Sequence, residues 1–256
     1  MLKKTICFFV LLFASAPVFA DDLNLSRYEK SIYSSHGEDG VLAKIFQLIK
    51  PPTTFCVELG AGEGTSGSAT YLLRKQGWNC ILLDRSHETP AIHLFKAFIT
   101  AENVNELLDN YNVPHDLAFL NIDLGYNDFY IWRAISQDYK PAVVVIGYNA
   151  NIPPSEDWVV KYHPFFCGDG TDYYGAGILA LSQLGKAKGY SLVYGDQSGN
   201  SLFFIRDEIL AEKGLHFKDR DRVEQIYRKD SNAVYRPDPK KRAYVSAEFL
   251  LNDAKP

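Results

Sequence analysis

Residues 55–84 read FCVELGAGEGTSGSATYLLRKQGWNCILLD, and this stretch limits the possible fold more than any other. An apolar run from Phe55 to Leu59 stops at a turn carrying Gly60, Gly62, Gly64 and Gly67. A helix-like segment then runs to Gln76, and a second apolar run ends on Asp84. Strand, glycine turn, helix and strand in that order form a parallel crossover, which commits the chain to an α/β sheet. The glycines let backbone approach a ligand, the next helix offers unpaired N–H groups, and an acid about 20 residues on suits ribose hydroxyls. A nucleotide-like cofactor is expected at this turn.

Two cofactor classes share the pattern. Gly62, Gly64 and Gly67 spell G-x-G-x-x-G, the dinucleotide fingerprint. Glu58, Gly60, Gly62 and Gly64 spell E-x-G-x-G-x-G, the first motif of S-adenosylmethionine-dependent methyltransferases. Glu58 favours the second, because a carboxylate in a buried parallel strand is costly without a partner, and the amine of a methionyl group is one. A backbone amide or a lysine would serve Glu58 as well.

Beyond Asp84, apolar runs predict strands at 97–100, 117–123, 142–148, 190–194 and 201–206. Helical spacing predicts helices at 40–50, 104–111, 128–136 and 176–188, with shorter ones near 221–229 and 246–252. Only residues 195–200 join the last two strands, too few for a helical crossover, so those strands must form an antiparallel hairpin. The expected fold is a Rossmann-like, doubly wound seven-stranded sheet, mostly parallel, closed by that hairpin. At 256 residues with 46% hydrophobic content, one elaborated domain is expected over 21–256, with its core at about 40–206 and an extension over 207–256.

The first 20 residues read as a separate object. Lys3 and Lys4 precede an apolar run, and Val18-Phe19-Ala20 supplies a signal-peptidase site, so cleavage after Ala20 and export are expected. The run is shorter than the roughly 20 residues a membrane span needs, and no membrane anchor is expected after cleavage. Net charge is −4, which argues against nucleic acid as a partner. The mature chain would keep Cys56, Cys80 and Cys167, an odd number without C-x-x-C, so neither a disulfide framework nor a zinc site is expected. Cys56 and Cys80 read as core residues, and Cys167 as a loop thiol.

Six segments resemble, in one order, a bacterial methyltransferase-like family related to the FkbM-type sugar and polyketide O-methyltransferases. They are YSSHGEDGVLAKIF, FCVELGAGEGTS with LLRKQGWNCILLD, ENVNELLDNY, FLNIDLGYNDFYIWRAI, VVVIGYNANIPP and GTDYYGAGILALSQLGKAKGYSLVY, spanning about residues 28–210. The resemblance implies a class I methyltransferase fold that binds S-adenosylmethionine. Glu58, Gly60, Gly62 and Gly64 match the first motif, Asp84 the ribose-holding acid, and Asn103 the position that contacts adenine. Asp123, at the tip of the fourth strand, falls where the fold keeps catalytic or methionine-contacting groups, and Asp128 follows at a helix start.

The departures count as well. Where relatives read I-E-Y-N, this chain has Ile146-Gly147-Tyr148-Asn149. Where they read aspartate-isoleucine-aspartate-glycine, it has Asp123-Leu124-Gly125-Tyr126. Asp123 and Asn149 alone leave few anionic oxygens for a divalent ion, so no metal is expected. Asp123 or Asp128 is the candidate base for a hydroxyl acceptor, although Asn127-Asp128 also reads as a helix cap. Asp39 reads as a helix-start acid, and His163 as a loop histidine. The aromatic segment 149–175 reads as a wall over the carboxyl edge or as plain packing. Three functions stay open: an exported O-methyltransferase acting on a small molecule or glycan hydroxyl, an inactive binding protein with the same fold, and a dinucleotide-dependent oxidoreductase.

Overall fold

A computed structural model describes residues 22–166, 168–229 and 235–253. The leader and Cys167 lie outside the described residues. Seven strands form one sheet: β1 (Phe55–Leu59), β2 (Asn79–Asp84), β3 (Leu94–Lys96), β4 (Phe119–Ile122), β5 (Val143–Gly147), and, after a two-residue β6 (Trp158–Val159), β7 (Tyr190–Gly195) and β8 (Ser201–Arg206). Their order is β3-β2-β1-β4-β5-β8-β7. Neighbours from β3 to β5 pair in parallel, while β8 runs antiparallel to both β5 and β7. The short link over 195–200 makes the expected hairpin, and β8 inserts between β5 and β7. A separate two-stranded antiparallel sheet pairs β6 with β9 (Val245–Ser246).

Helices cover both faces of the large sheet, and the period-2 alternation of strand side chains sorts the core accordingly. Val57, Leu59, Leu120, Ile122, Val144 and Ile146 point to one side, into a cluster with residues of α3 (Val104–Asn110), α4 (Asp128–Ala134) and α5 (Ile178–Ala187). Cys56, Phe119, Val143 and Val145 point to the other, against α1 (Glu38–Ile49), α2 (Tyr71–Lys75) and α6 (Asp207–Lys213). The remaining helices, α7 (Val223–Ile226) and α8 (Ala247–Asn252), are short and belong to the C-terminal extension.

Two expectations need correction. The third strand is Leu94–Lys96 rather than 97–100, because Leu82, Leu83 and Asp84 pair with Leu94, Phe95 and Lys96 and use up the edge of β2. Cys56 and Cys80 are not independent core thiols but form a disulfide closing a sequence separation of 24. Parallel register places them opposite one another, with Cα atoms 4.5 Å apart. An odd cysteine count left one pair possible, and register supplied it.

Candidate functional site

β1 runs directly into the glycine turn. Gly60 has φ +87°, and a Cβ there would collide with the carbonyl oxygen of Asp123, so only glycine lets the turn lie against the tip of β4. Glu58, 2% exposed, accepts from the Ser68 hydroxyl at 2.6 Å, the Ala69 N–H at 2.9 Å and the Thr70 hydroxyl. Burial raises its pKa, and those hydrogen bonds together with the Arg74 charge oppose the rise. Arg74 in turn donates to the Gly64 carbonyl. The partners of Glu58 therefore come from its own loop. Other amides of the turn also point inward: Gly62 N–H donates to Asp84, Gly64 N–H to Ala61, and Gly67 N–H to Tyr33.

Asp84 ends β2 beneath the same turn. One carboxylate oxygen accepts from Gly62 N–H at 3.0 Å. The other accepts from Ser86 N–H at 2.7 Å and His87 N–H at 3.0 Å, and lies 3.0 Å from His87 Nδ1. Burial pushes its pKa up, but the bonds from Ser86, His87 and Gly62 outweigh that, and the net shift is downward. Asp84 lines a cavity of about 200 Å³ with Gly62, Phe98, Ile99, Asp123, Asn127 and Phe166.

Asn103 does not line this cavity. Its carbonyl accepts from Thr100 N–H and its amide donates to the Phe98 carbonyl, both at 2.8 Å, so both ends of the side chain staple the turn before α3. Asn127 does line it. Its amide donates to the His163 carbonyl at 3.0 Å, while its Oδ1 is buried without a hydrogen-bond partner. His163 itself is absent from the lining of all three cavities described here.

Asp123 is where the spaces meet. It lines the cavity of Asp84, a second of about 230 Å³ over Glu58, Gly60, Glu63, Asn121 and Gly147, and a third of about 360 Å³ over His36, Glu38, Asp128 and Tyr174. Among the described residues its carboxylate makes no hydrogen bond. Asp123 is exposed where the clefts meet, and the protein packed around it pushes its pKa up, with the nearby His36 opposing. Asp128 is 3% exposed and accepts from Leu124 N–H at 2.7 Å. Burial, then the charge of Asp123, pushes its pKa up to about 7. Asp128 is the first residue of α4 and reaches back to the β4 tip, and Asn127 before it makes no side-chain cap bond.

Distant segments build the cavity of about 360 Å³. Asp39 Oδ2 accepts from Ile32, Tyr33 and Ser34 N–H at 2.6–2.8 Å and so folds the 31–36 loop that carries His36 to the cavity. Glu38, 6% exposed, accepts from His36 N–H at 2.8 Å and from the Ser201 hydroxyl at 3.3 Å. Burial raises its pKa first, and the charge of Asp196 adds to that. Asn149 is spent on structure: its amide donates to the Asp172 and Tyr174 carbonyls, and its Oδ1 accepts from Asn151. The aromatic segment serves both expected roles. Tyr174 and Phe166 wall cavities, while Tyr173 packs on Tyr126 and Tyr244.

Compared with known proteins, the chain matches no protein-family model and no curated protein.

Proposed function

We propose that this chain is an exported, S-adenosylmethionine-dependent methyltransferase with a class I, Rossmann-like fold, acting on a hydroxyl of a small molecule or glycan. The sheet supports the fold assignment through one reversed strand, β8, set between β5 and β7. The observation that carries the cofactor assignment is the inward turning of the glycine-loop amides. A dinucleotide needs free N–H groups for its pyrophosphate. Here Gly62, Gly64, Gly67 and Ala69 already donate within the protein. Glu38 and Glu63 also line the adjoining space, which suits a cationic sulfonium and ammonium and repels phosphate.

In this reading Asp84 holds ribose hydroxyls, Asn127 Oδ1 offers a buried acceptor to the nucleobase, and the space over Gly60 and Gly62 takes the methionyl part. Gly62 fits that role, because no atom lies within 4 Å of where its Cβ would stand. Bound there, S-adenosylmethionine supplies an electrophilic methyl group. The protein aligns the acceptor, excludes water and takes the hydroxyl proton on the free carboxylate of Asp123; alignment alone is worth about 7 kcal/mol or more. Export rests on the charged, apolar, small-residue order of the leader and on the Cys56–Cys80 disulfide, a bond kept in oxidising compartments. The enzyme then acts where the donor reaches it.

One observation favours a second reading, a binding protein without turnover. Gly147 leaves Asp123 without a companion acid from β5, and a Cβ there would stand 3.4 Å from Asp123 Oδ1. Methyl-labelled donor, incubated with the mature protein and pools of sugars and phenols, separates the two. Transfer that drops about 10²- to 10⁴-fold in Asp123→Asn, with donor affinity kept, is the expected result. S-adenosylhomocysteine binding without any transfer would establish the binding protein instead. Absence of both would remove the methyltransferase reading.

A further inference from the structure

The cavity of about 360 Å³ over His36, Glu38, Asp123 and Asp128 has an uneven charge. Glu38, Asp123 and Asp128 bring three carboxyl groups to it, while His36 is its one basic side chain among the described residues. Lysine and arginine are absent from that described lining, and residues 230–234, reading DSNAV, contain neither. The nearby cation of Arg242 is spent on Asp169 at 2.8 Å and Asp238 at 3.0 Å. Tyr174 and Tyr235 meet at the wall with ring centroids 4.6 Å apart, and aromatic faces attract organic cations. Among the described residues no three His, Cys, Asp or Glu side chains converge closely enough to hold a metal ion. Separated carboxylates beside aromatic rings match a larger cation better.

We infer that this cavity takes an acceptor carrying a positive charge, a hydroxyl-bearing amine, and rejects anionic acceptors. The word acceptor rests on the methyltransferase reading, whereas the charge preference rests on the cavity itself. An ammonium group relieves the repulsion between Asp123 and Asp128, which adds to burial in raising the Asp128 pKa. An anion would meet the same three groups with only His36 to set against them, in a partly dehydrated space.

The test uses three probes of one shape: phenethylamine, 2-phenylethanol and phenylacetate, titrated into the mature protein saturated with S-adenosylhomocysteine. Phenethylamine should bind tightest, about tenfold above phenylacetate, with the alcohol between them. Asp128→Asn keeps an oxygen for Leu124 N–H and should cut the phenethylamine advantage about threefold without moving S-adenosylhomocysteine affinity. Glu38→Gln gives a second reading of the same loss should Asp128→Asn fold poorly. Equal or reversed affinities, or no phenethylamine binding at millimolar concentration, would overturn the inference. Failure of S-adenosylhomocysteine to bind would instead strike the methyltransferase reading, and the probe series on the unliganded protein would still decide the charge preference.

Discussion

Two adjacent strand ends treat their carboxylates in opposite ways. At the tip of β1, Glu58 is closed in by Ser68, Ala69 and Thr70, and its loop is satisfied from within. At the tip of β4, Asp123 has no hydrogen-bond partner among the described residues and opens onto three cavities. A buried polar group that is fully paired maintains shape, whereas an unpaired carboxylate open to a junction of cavities is available to a ligand. On the proposed function, stability belongs to the first crossover and reactivity to the β4 tip. Substitutions can break that comparison.

The largest effect is expected at Glu58. Glu58→Ala removes the acceptor shared by two hydroxyls and one N–H, leaving the hydroxyls only their 3.2 Å contact with each other, and should cost about 3–5 kcal/mol in denaturant unfolding. Glu58→Gln should keep S-adenosylhomocysteine affinity within about threefold, since the side chain supports the loop rather than the ligand. A loss below about 1 kcal/mol in the alanine variant would put Glu58 on the ligand side of the comparison.

The disulfide belongs to the same stable crossover. Replacing both Cys56 and Cys80 by alanine should cost about 3 kcal/mol, as expected for a loop of 24 residues. Reductant during unfolding of the unsubstituted protein should reproduce that loss. Identical midpoints with and without reductant would show that the bond does not form.

Asp84 lies between the two regimes, because it holds the turn and also faces a cavity. Asp84→Asn should weaken S-adenosylhomocysteine binding roughly ten- to a hundredfold, about 1.5–3 kcal/mol, by removing charge-assisted bonds to the ribose. Unchanged affinity in a folded variant would confine Asp84 to the loop.

The smallest effect sharpens the β4 side. The folded pKa of Asp128, about 7, lies above the ordinary aspartate value of 3.8. Its contribution to stability is therefore full below about pH 4 and is lost as pH rises through about 7. Asp128→Asn does not titrate, so its stability relative to the unsubstituted protein should improve by about 1–2 kcal/mol between pH 5 and pH 8. Parallel pH profiles of the two proteins would show that Asp128 is not crowded by Asp123.

The sequence made the first region readable and the second only partly so. Apolar runs, the glycine turn and the 195–200 link identified β1, β2 and the closing hairpin because those signals are local. Local signals also misled. The run at 97–100 is apolar, yet β2 pairs with Leu94–Lys96, and pairing depends on register. Asn103 staples Thr100 and Phe98, while Asn127, beside the acid that reads as a helix cap, reaches the cavity. His36, Glu38 and Ser201 were beyond reach, because only the folded sheet brings the 31–38 and 195–201 segments to one cavity. Asp123 was readable from the strand-end rule. That its carboxylate is free, when that of Glu58 is not, needed three dimensions.

Calorimetric titration of the mature protein with S-adenosylhomocysteine and with NAD, side by side, tests the central claim most directly. One site for S-adenosylhomocysteine with micromolar affinity and no detectable heat from NAD are expected, because the Gly62, Gly64, Gly67 and Ala69 amides are spent and carboxylates line the space where a pyrophosphate would lie. Saturable NAD binding with silence from S-adenosylhomocysteine would contradict it.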